Sequence, residues 1–456
     1  MKGAPSHSEP NPPKPVPQKA TRFGSSRACQ WGSLTLSQDS ALIWTERMLA
    51  ALERGNDQRK WHTLVDKVFS PKTLGVALQA VVANAGAPGI DGITTREVAQ
   101  NAASHIALLE RQLREGHYQP KAVKRVWIEK PGSHQKRPLG LPCVRDRIVQ
   151  KALQIILEPI FERGFAAQSY GFRPGRGARQ AVERVESLLK EGKVWVVDAD
   201  IQGYFDNIPH EPLLERVKEK IADARVLALL EKFLQQGVME SARDWTPSEK
   251  GTPQGAVISP LLANVYLNPL DHLMESQGRQ MIRYADDFVL LCTSREEAEE
   301  VLEAVRHWTQ AAGLTLHPEK TRIVDATQRG GFEFLGWHFE RGLKWPREKS
   351  QHKLKETLRA KTKRSSGQAL PAIIAEVNRT VRGWGNYFRG GVLNVPKVLE
   401  EWLRMRLRSI LRKRDKRTGK GRGLDHHRYP NAWFAVRGLI SLTAITHAER
   451  PLAPSK

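Results

Sequence analysis

The sequence has 456 residues, of which 40% are hydrophobic and 27% are charged, and its formal net charge is +23. No apolar run approaches the length of a membrane span, the Pro-rich start has no apolar signal core, and the three separated cysteines (Cys29, Cys143 and Cys292) form no CxxC pair. These features argue against a membrane protein, a secreted disulfide-rich protein and a structural zinc site, and they predict a cytoplasmic protein of about two or three domains.

The first 40 residues are predicted to be a disordered, basic, Pro-rich extension. Six prolines fall within residues 1–20, and no apolar periodicity appears up to residue 40. Regular structure is expected to begin within residues 41–52. The stretch GAPGIDGIT (86–94) contains three glycines and is predicted to form turns.

Extended and helical patterns alternate in the middle of the chain. Residues 123–142 contain two extended segments joined by a Gly/Ser turn. Helical periodicity follows in RDRIVQKALQIILEPIFERGF (145–165) and in residues 179–190. The segment KVWVVDADI (193–201) is β-branched and aromatic, which predicts a buried strand that ends in acids.

Two further helices flank a predicted hairpin. SPLLANVYLNPLD (259–271) begins with Ser259 as the expected N-cap and Pro260 at the first helical position. Ser294 and Glu297 form the S-x-x-E pattern of a capping box at the start of the next helix. The order of strand, helix, hairpin and helix predicts an α+β middle region.

Two adjacent carboxylates interrupt the most strand-prone stretch, MIRYADDFVLLCTS (281–294). A tight hairpin through Ala285 would place Asp286 and Asp287 at the tip of two strands, where burial without a partner would be costly. If the strand that ends in Asp200 is a neighbour, Asp200 and Asp286 converge. Oxygen ligands of this kind suit Mg²⁺, and two such ions can activate a 3′-hydroxyl and stabilise a pyrophosphate leaving group. The alternative is an ordinary polar turn, in which Asp is common.

The chain also carries an ordered set of longer motifs along roughly residues 60–440. They are GAPGIDGIT, KRPLGLP followed by RDRIVQKAL, QSYGFRPGRGARQAV, DADIQGYFDNI, GTPQGAVISPLLANVYLNPLD, RYADDFVLL, GLTLHPEKT and FEFLGW, and then RGWGNYF and YPNAWFAVRGL. In this order they resemble the bacterial group II intron-encoded reverse transcriptase/maturases.

The resemblance implies an α+β right-hand polymerase of fingers and palm, followed by an α-helical thumb/maturase domain. The implied parts are an N-terminal extension with fingers (41–192), a palm with part of the fingers (193–340) and a helical, RNA-binding thumb/maturase domain (341–456). The implied catalytic residues are Asp200, Asp286 and Asp287. Asp200, the Ile201 carbonyl and Asp286 would bind two Mg²⁺ ions.

The resemblance also implies a set of dNTP-binding residues: Lys130, Arg137, Tyr204, Phe205, Gln254, Gly255 and Lys320. Tyr204 matches the aromatic side chain that lies under the sugar and excludes a 2′-hydroxyl, with a core aromatic as the alternative. The chain carries one extra residue between Lys130 and Arg137, so Lys136 competes with Arg137 for the triphosphate. Lys320 is expected near the triphosphate, where it would help protonate pyrophosphate; a solvated surface position is the alternative for each of these basic residues.

Positive charge is concentrated in the last quarter of the chain. Residues 341–456 contain 28 Lys and Arg against 8 Asp and Glu, a net +20, whereas the other 340 residues contain 44 against 41, a net +3. This asymmetry is expected of a segment that lies along a polyanion, although a basic segment can also serve solubility alone. The candidate RNA-binding residues are Arg173, Arg382, Arg389, Arg404, Arg408, Arg412 and Lys413.

Two of these assignments have alternatives. Arg173 is expected either to touch the template or to order the fingers. A helix within residues 401–417 can place Arg404, Arg408 and Arg412 along an RNA backbone, or it can be an amphipathic helix with a solvated basic face.

The function implied by the resemblance is RNA-directed DNA synthesis from dNTPs with two Mg²⁺ ions, together with binding of a group II intron RNA to assist its splicing. The implied partners are the intron RNA, an RNA template with a DNA primer, and target DNA for intron mobility, with nucleoid association when the protein acts on DNA. Two alternatives stay open: an RNA-binding splicing factor with a vestigial polymerase, and a reverse transcriptase of a retron or defence system. Many relatives carry a C-terminal endonuclease module with paired cysteines, and no cysteine follows Cys292, so no DNA cleavage is expected.

Overall fold

The computed structural model describes residues 29–31, 34–54, 60–129, 136–239, 245–246, 249–418 and 423–447. The elements before the central region are β1 (Cys29–Trp31), β2 (Leu34–Leu36), α1 (Gln38–Ile43), α2 (Glu46–Arg54), α3 (Val65–Val68), α4 (Pro71–Ala83), α5 (Thr95–Gln100), α6 (Ala102–Arg114), β3 (Val123–Glu129) and β4 (Lys136–Leu141). β3 and β4 are antiparallel, which confirms the two predicted extended segments.

Regular structure begins earlier than predicted. β1 pairs with β2, and α1 follows with Ser37 as its N-cap. The buried Ser40 hydroxyl donates to the Ile155 carbonyl at 3.1 Å, so this segment is anchored on a helix more than 100 residues away. The expected extension over residues 1–40 is therefore wrong for its last part, because short strands and a capped helix turn carry too few residues to show periodicity. Residues 1–28 lie outside the described part of the chain.

The central region contains a four-stranded antiparallel sheet, which we call the palm sheet. The elements of this central region, in chain order, are α7 (Val144–Glu162), α8 (Ala178–Lys190), β5 (Trp195–Asp200), α9 (Tyr204–Asn207), α10 (His210–Lys218), α11 (Ala224–Leu234), β6 (Val238–Met239), β7 (Trp245–Thr246), α12 (Ser259–Ser276), β8 (Gln280–Tyr284), β9 (Asp287–Cys292), α13 (Arg295–Ala311), β10 (Arg322–Asp325), β11 (Phe332–Phe334) and β12 (Trp337–Glu340). The strand order in the palm sheet is β10-β5-β9-β8, and β4-β3-β6-β7 form a second sheet.

Both faces of the palm sheet are covered, which explains why β5 and β9 are rich in apolar residues. Val197 of β5 belongs to a core shared with α7, α12 and α13. Val196, which points to the other face, belongs to a core shared with α8 and the sheet β11-β12. The predicted strand at 193–201 and the predicted helices are confirmed by β5, α7, α8, α12 and α13.

The helix starts differ from the prediction in detail. Ser259 is the first residue of α12, and its hydroxyl donates to the Pro253 carbonyl at 3.1 Å, so it is not the N-cap. Ser294 does cap α13 by accepting from Glu297 N, but the Glu297 carboxylate accepts from Thr293 N at 2.8 Å. The tertiary surroundings of each helix start decide these contacts, and the local sequence does not.

The last part of the chain is helical and has its own apolar core. It consists of β13 (Leu343–Pro346), α14 (Glu348–Lys361), α15 (Leu370–Tyr387), α16 (Asn394–Arg414), α17 (Asp425–Arg428), α18 (Asn431–Val436) and α19 (Leu442–His447). β13 pairs with β12, so the predicted boundary at residue 341 falls inside a hairpin and the helices begin at Glu348. None of the described helices is long and apolar enough to cross a membrane.

Candidate active site

The palm sheet brings the two predicted acidic strand ends together. β5 and β9 are antiparallel neighbours, with Asp200 opposite Asp287. Tyr284 of β8 also pairs with Asp287, so the turn between β8 and β9 consists of Ala285 and Asp286. Ala285 has a φ of 61°, which is uncommon for a residue with a side chain and therefore needs support from the surrounding protein. The expectation that these strands are neighbours is confirmed.

Negative charge accumulates at this end of the sheet. Burial, followed by the neighbouring Asp198 and Asp286 carboxylates, raises the pKa of Asp287 to about 7. Burial also raises the pKa of Asp198, and the Arg322 guanidinium opposes that shift from 3.4 Å. A cluster in which carboxylates oppose one another's ionisation is relieved by a bound cation.

The loop after α13 lies along the end of β5. His317 N donates to the Asp200 carbonyl at 2.7 Å, and Gln202 N donates to the Thr315 carbonyl at 2.8 Å. These bonds bring Lys320 onto the site, where its Nζ donates to Asp200 Oδ2 at 2.6 Å. The Lys320 ammonium therefore forms an ion pair with the carboxylate of Asp200, which was expected to bind metal.

The donor atoms fit a magnesium ion that keeps some of its ligands from solvent or substrate. The expected set is the carboxylates of Asp200 and Asp286 with the Ile201 carbonyl, all of them oxygen donors. Within the described ranges, no group of three or more His, Cys, Asp and Glu side chains forms a metal site by itself. Mg²⁺ bound by one or two carboxylates usually retains water and phosphate ligands, so an incomplete protein shell agrees with a substrate-dependent site.

Tyr204 and Phe205 lie side by side on α9 but differ in exposure. Only 1% of Tyr204 is exposed, and its Oη donates to the Ala263 carbonyl at 2.6 Å. Phe205 is partly buried and meets the Tyr204 ring edge to face, with ring centroids 5.5 Å apart. A wall for a nucleotide sugar must be accessible, so the sugar-contacting role expected of Tyr204 is revised: its ring belongs to the core, and Phe205 is the accessible member of the pair.

The GTPQG loop (251–255) is hydrogen-bonded both to α9 and to the edge strand β4. Gln254 Nε2 donates to Asp206 Oδ2 at 2.8 Å, and its carbonyl accepts from Gly140 N at 2.7 Å. Gly255 has a φ of 110°, and a Cβ atom there would lie 2.5 Å from the Gly140 carbonyl oxygen. Only glycine allows this close approach of the loop to β4.

The basic residues on the β3–β4 hairpin are only partly described. Lys130 lies outside the described residues, and only the backbone of Arg137 is described. In the β3–β4 register, Lys136 is opposite Glu129 and Arg137 is opposite Ile128.

Comparison with known proteins decides the family. Residues 128–339 match the reverse transcriptase (RNA-dependent DNA polymerase) family, and residues 351–429 match the group II intron, maturase-specific domain. Protein YkfC of Escherichia coli (strain K12) is 33% identical over 332 residues, which are 64% of this chain and 86% of YkfC. The chain belongs to the group II intron-encoded reverse transcriptase/maturase family. The expected right-hand polymerase fold is thereby confirmed.

Two further similarities cover smaller parts of this reverse transcriptase/maturase. The group II intron-encoded protein LtrA of Lactococcus lactis subsp. cremoris is 37% identical over 215 residues, which are 45% of this chain and 35% of LtrA. A solved structure described as a partial Cas6-RT-Cas1–Cas2 complex covers 55% of this chain and 43% of that chain, with 26% identity and a TM-score of 0.33.

Arg173 is bonded inside this reverse transcriptase/maturase to the end of α7 and the loop that follows it. Its guanidinium contacts both oxygens of Glu162, with Nε 3.0 Å from Oε2 and Nη2 2.8 Å from Oε1. Its Nη1 also donates to the carbonyls of Ala166 and Ser169, at 2.6 and 2.8 Å. Arg173 is buried with all three nitrogens engaged, so of the two expected roles the structure favours ordering the fingers over touching the template.

The arginine row on α16 faces inward. Arg404, Arg408 and Arg412 are four residues apart and therefore share one helix face. Arg408 is only 2% exposed. The partners of the row are Glu400 for Arg404, the Tyr429 carbonyl and Asn431 Oδ1 for Arg408, and Asp425 Oδ2 for Arg412. The expected RNA contact is revised for Arg408 and Arg412, because they attach α17 and α18 to α16, whereas Arg404 pairs with Glu400 of its own helix.

The other three basic candidates remain accessible. Arg382 on α15 and Lys413 on α16 are exposed. Arg389 is partly buried, with Nη2 2.9 Å from Asn386 Oδ1 and Nε 3.2 Å from the Ile445 carbonyl.

One set of buried polar residues beneath the site was missed by sequence analysis. Arg283, Asp271 and Asn264 are all buried, and Arg283 donates hydrogen bonds to the other two. The available signal was that Asn264 and Asp271 are seven residues apart, which puts them on one face of α12, and that an arginine precedes the YADD turn.

Proposed function

We propose that this protein is an RNA-directed DNA polymerase that binds a group II intron RNA, assists its splicing and copies it into DNA at a DNA target. The observation that supports this best is the pairing of Asp200 with Asp287 beside the turn that carries Asp286. Extension of a DNA primer on an RNA template, with dNTPs and Mg²⁺, tests the polymerase directly. The expected lack of DNA cleavage stays a prediction from the sequence.

Bound Mg²⁺ would activate the primer 3′-hydroxyl and neutralise charge on the leaving pyrophosphate. The Asp200 and Asp286 carboxylates and the Ile201 carbonyl would hold the ions, and Asp287 would add negative charge from the adjacent position on β9. Lys320 already lies 2.6 Å from Asp200. With Mg²⁺ held by Asp200, the Lys320 ammonium would be available to the triphosphate and would donate a proton to pyrophosphate.

The incoming nucleotide would lie against α9 and the GTPQG loop. Phe205 would contact the sugar, and Gln254, held by Asp206, would lie beside the base or sugar. The hydrogen bond from Gly140 N to the Gln254 carbonyl links this loop to β4, the strand that contains Arg137. Lys130 and Arg137 would bind the triphosphate.

Replacing Arg137 by alanine is expected to raise the KM for dNTPs about tenfold, the effect of losing roughly 1.4 kcal/mol of binding. Lys136→Ala is the matched comparison, because it removes the same charge from the adjacent position on β4. Steady-state primer extension at varied dNTP concentration measures both. A larger KM effect for Lys136 than for Arg137 would transfer the triphosphate role to Lys136.

The RNA-binding surface of the thumb would include Arg382, Arg389 and Lys413. The double variant Arg382→Ala/Lys413→Ala is expected to bind a structured group II intron RNA more weakly, and the slope of log K against log salt should fall by about one for each lost phosphate contact. Filter binding over a range of salt concentrations measures this slope. The control, Arg295→Ala/Arg306→Ala, removes two exposed arginines of α13 that pair with glutamates on the same helix. Equal weakening by both double variants would mean that overall charge, and not this surface, binds the RNA.

A further inference from the structure

We infer that Arg283 is a positioning residue that holds the turn carrying Asp286 in its metal-binding geometry, and that Asp271, Asn264 and Gly171 complete its support. This inference rests on the proposed metal-binding role of Asp286. We call these four residues the turn support.

The guanidinium of Arg283 lies directly beneath the turn. Arg283 is 0% exposed, and its Nη1 donates to the Ala285 carbonyl at 2.9 Å. That carbonyl belongs to the residue immediately before Asp286, which is also the residue with the unusual φ of 61°. A charge-assisted hydrogen bond at this atom opposes rotation of the peptide bond between Ala285 and Asp286, and such a rotation would change the direction of the Asp286 side chain.

Helix α12 in turn fixes the guanidinium. Arg283 Nε donates to Asp271 Oδ1 at 2.7 Å, and Nη2 donates to Oδ2 of the same carboxylate. Nη1 also donates to Asn264 Oδ1 at 2.9 Å. A planar guanidinium bound to both oxygens of a carboxylate has one allowed orientation, so the position of α12 determines where the Ala285 carbonyl is held.

The other side of the turn is closed by the loop around Gly171. Asn264 Nδ2 donates to the Gly171 carbonyl at 2.8 Å, and Tyr170 N donates to the Arg283 carbonyl at 2.8 Å. A Cβ atom on Gly171 would lie 2.3 Å from Ala285 N, so this backbone fits against the turn only as glycine. The turn is thus held between a charged side chain below and a close-fitting backbone beside it.

A buried ion pair is a costly way to gain stability, because an apolar pair of similar volume is often as stable. The role of the Arg283–Asp271 pair is instead to orient the Ala285 carbonyl, because apolar side chains cannot hold a carbonyl in one orientation. Replacing the pair by apolar residues is therefore expected to keep the fold and to disturb the metal site.

The test compares Mn²⁺ binding by the full chain in complex with an RNA template, a dideoxy-terminated DNA primer and the next dNTP. Electron paramagnetic resonance measures bound Mn²⁺, so the readout does not depend on catalysis. Asp286→Asn is expected to abolish Mn²⁺ binding at this site. Arg283→Met/Asp271→Leu is expected to weaken the same binding by about 10- to 100-fold, the range found when the supporting partners of metal ligands are lost. In primer extension, the Mg²⁺ concentration for half-maximal rate should rise by a similar factor, while the KM for dNTPs changes less.

The matched control is Arg279→Met, at the other end of β8. Arg279 pairs with Glu297 and Glu300 at 2.9 and 3.0 Å, far along the strand from the turn, so its loss is expected to leave Mn²⁺ binding unchanged. If the folded Arg283→Met/Asp271→Leu variant binds Mn²⁺ like the parent, Arg283 has a merely structural role and the inference is overturned. If the parent binds no Mn²⁺ that Asp286→Asn removes, the proposed metal site fails, and the inference fails with it.

A second variant keeps the test decisive if the double variant does not fold. Gly171→Ala retains every charge and introduces one methyl group against Ala285 N. It is expected to weaken Mn²⁺ binding as well, whereas Gly177→Ala, where an added Cβ meets nothing within 4 Å, is expected to behave like the parent. Unchanged Mn²⁺ binding by a folded Gly171→Ala variant would overturn the inference.

Discussion

Replacing Asp286 by asparagine is expected to reduce primer extension on an RNA template by about 10³-fold or more, because the amide keeps the shape of the side chain but removes the charge that would hold Mg²⁺. The substitution also removes one of the carboxylates that raise the pKa of Asp287, so the fold is not expected to lose stability. Single-turnover extension, with thermal unfolding of the same preparation, measures both effects.

The control for Asp286→Asn is Glu319→Gln, which neutralises an exposed acid in the loop that carries Lys320. Its extension rate is expected to equal that of the parent. RNA binding is expected to survive both substitutions, because the proposed RNA surface lies on α15 and α16. Retained synthesis by Asp286→Asn would contradict the assignment of this carboxylate. A folded parent that binds intron RNA but extends no primer would instead indicate a splicing factor with a vestigial polymerase.

Replacing Phe205 by valine is expected to lower the discrimination against ribonucleotides by about 100-fold, since a wall that rejects one hydroxyl group does so by steric exclusion. The smaller side chain leaves space where a 2′-hydroxyl would otherwise clash. The ratio of kcat/KM for a dNTP to that for the matching rNTP, measured on one RNA template, gives the size of the effect. Incorporation of dNTPs themselves is expected to change much less.

Tyr204→Phe provides the comparison within the same pair of rings. It deletes the buried hydrogen bond to the Ala263 carbonyl and is expected to cost about 1 kcal/mol of folding free energy. Sugar selectivity should stay unchanged, because the ring remains in the core. If Tyr204→Val relaxes selectivity while Phe205→Val does not, Tyr204 is the sugar-contacting residue despite its burial.

Sequence patterns predicted the central elements well where local and tertiary preferences agree. KVWVVDADI and MIRYADDFVLL are apolar, β-branched and bounded by acids, and they form β5 and the β8–β9 hairpin. The strands are neighbours, with Asp200 opposite Asp287, which is the condition on which the convergence of the acids depended. Strands with two buried faces have few alternative environments, so composition alone was informative.

The α16 row shows where pattern reasoning failed. Arginines at spacing four predict a common face, and that part is correct, but the spacing does not say whether the face meets solvent or protein. The carboxylate of Asp425 and the carbonyl of Tyr429 lie on segments after the helix and fold back onto it. A long-range contact of this kind leaves no periodic signal in the sequence of α16.

The same limit applies to the two aromatic side chains after Asp200. The sequence analysis assigned the sugar contact to Tyr204, but spacing from the acid cannot tell which of two adjacent rings is buried. The single turn α9 directs the Tyr204 ring into the core, where its hydroxyl meets α12, and leaves the Phe205 ring accessible.

The sequence by itself therefore determined the family, the order of the elements and the acidic residues of the site, because ordered motifs and apolar strands are local properties of the chain. Only the tertiary structure decided which charged residues are free to bind a ligand and which are used to hold the protein together. Arg173, Arg283 and Arg408 are buried and bonded to groups from distant segments. The physical reason is that the cost of burying a guanidinium is met only by partners that folding brings within hydrogen-bonding distance, and these partners are distant in the sequence.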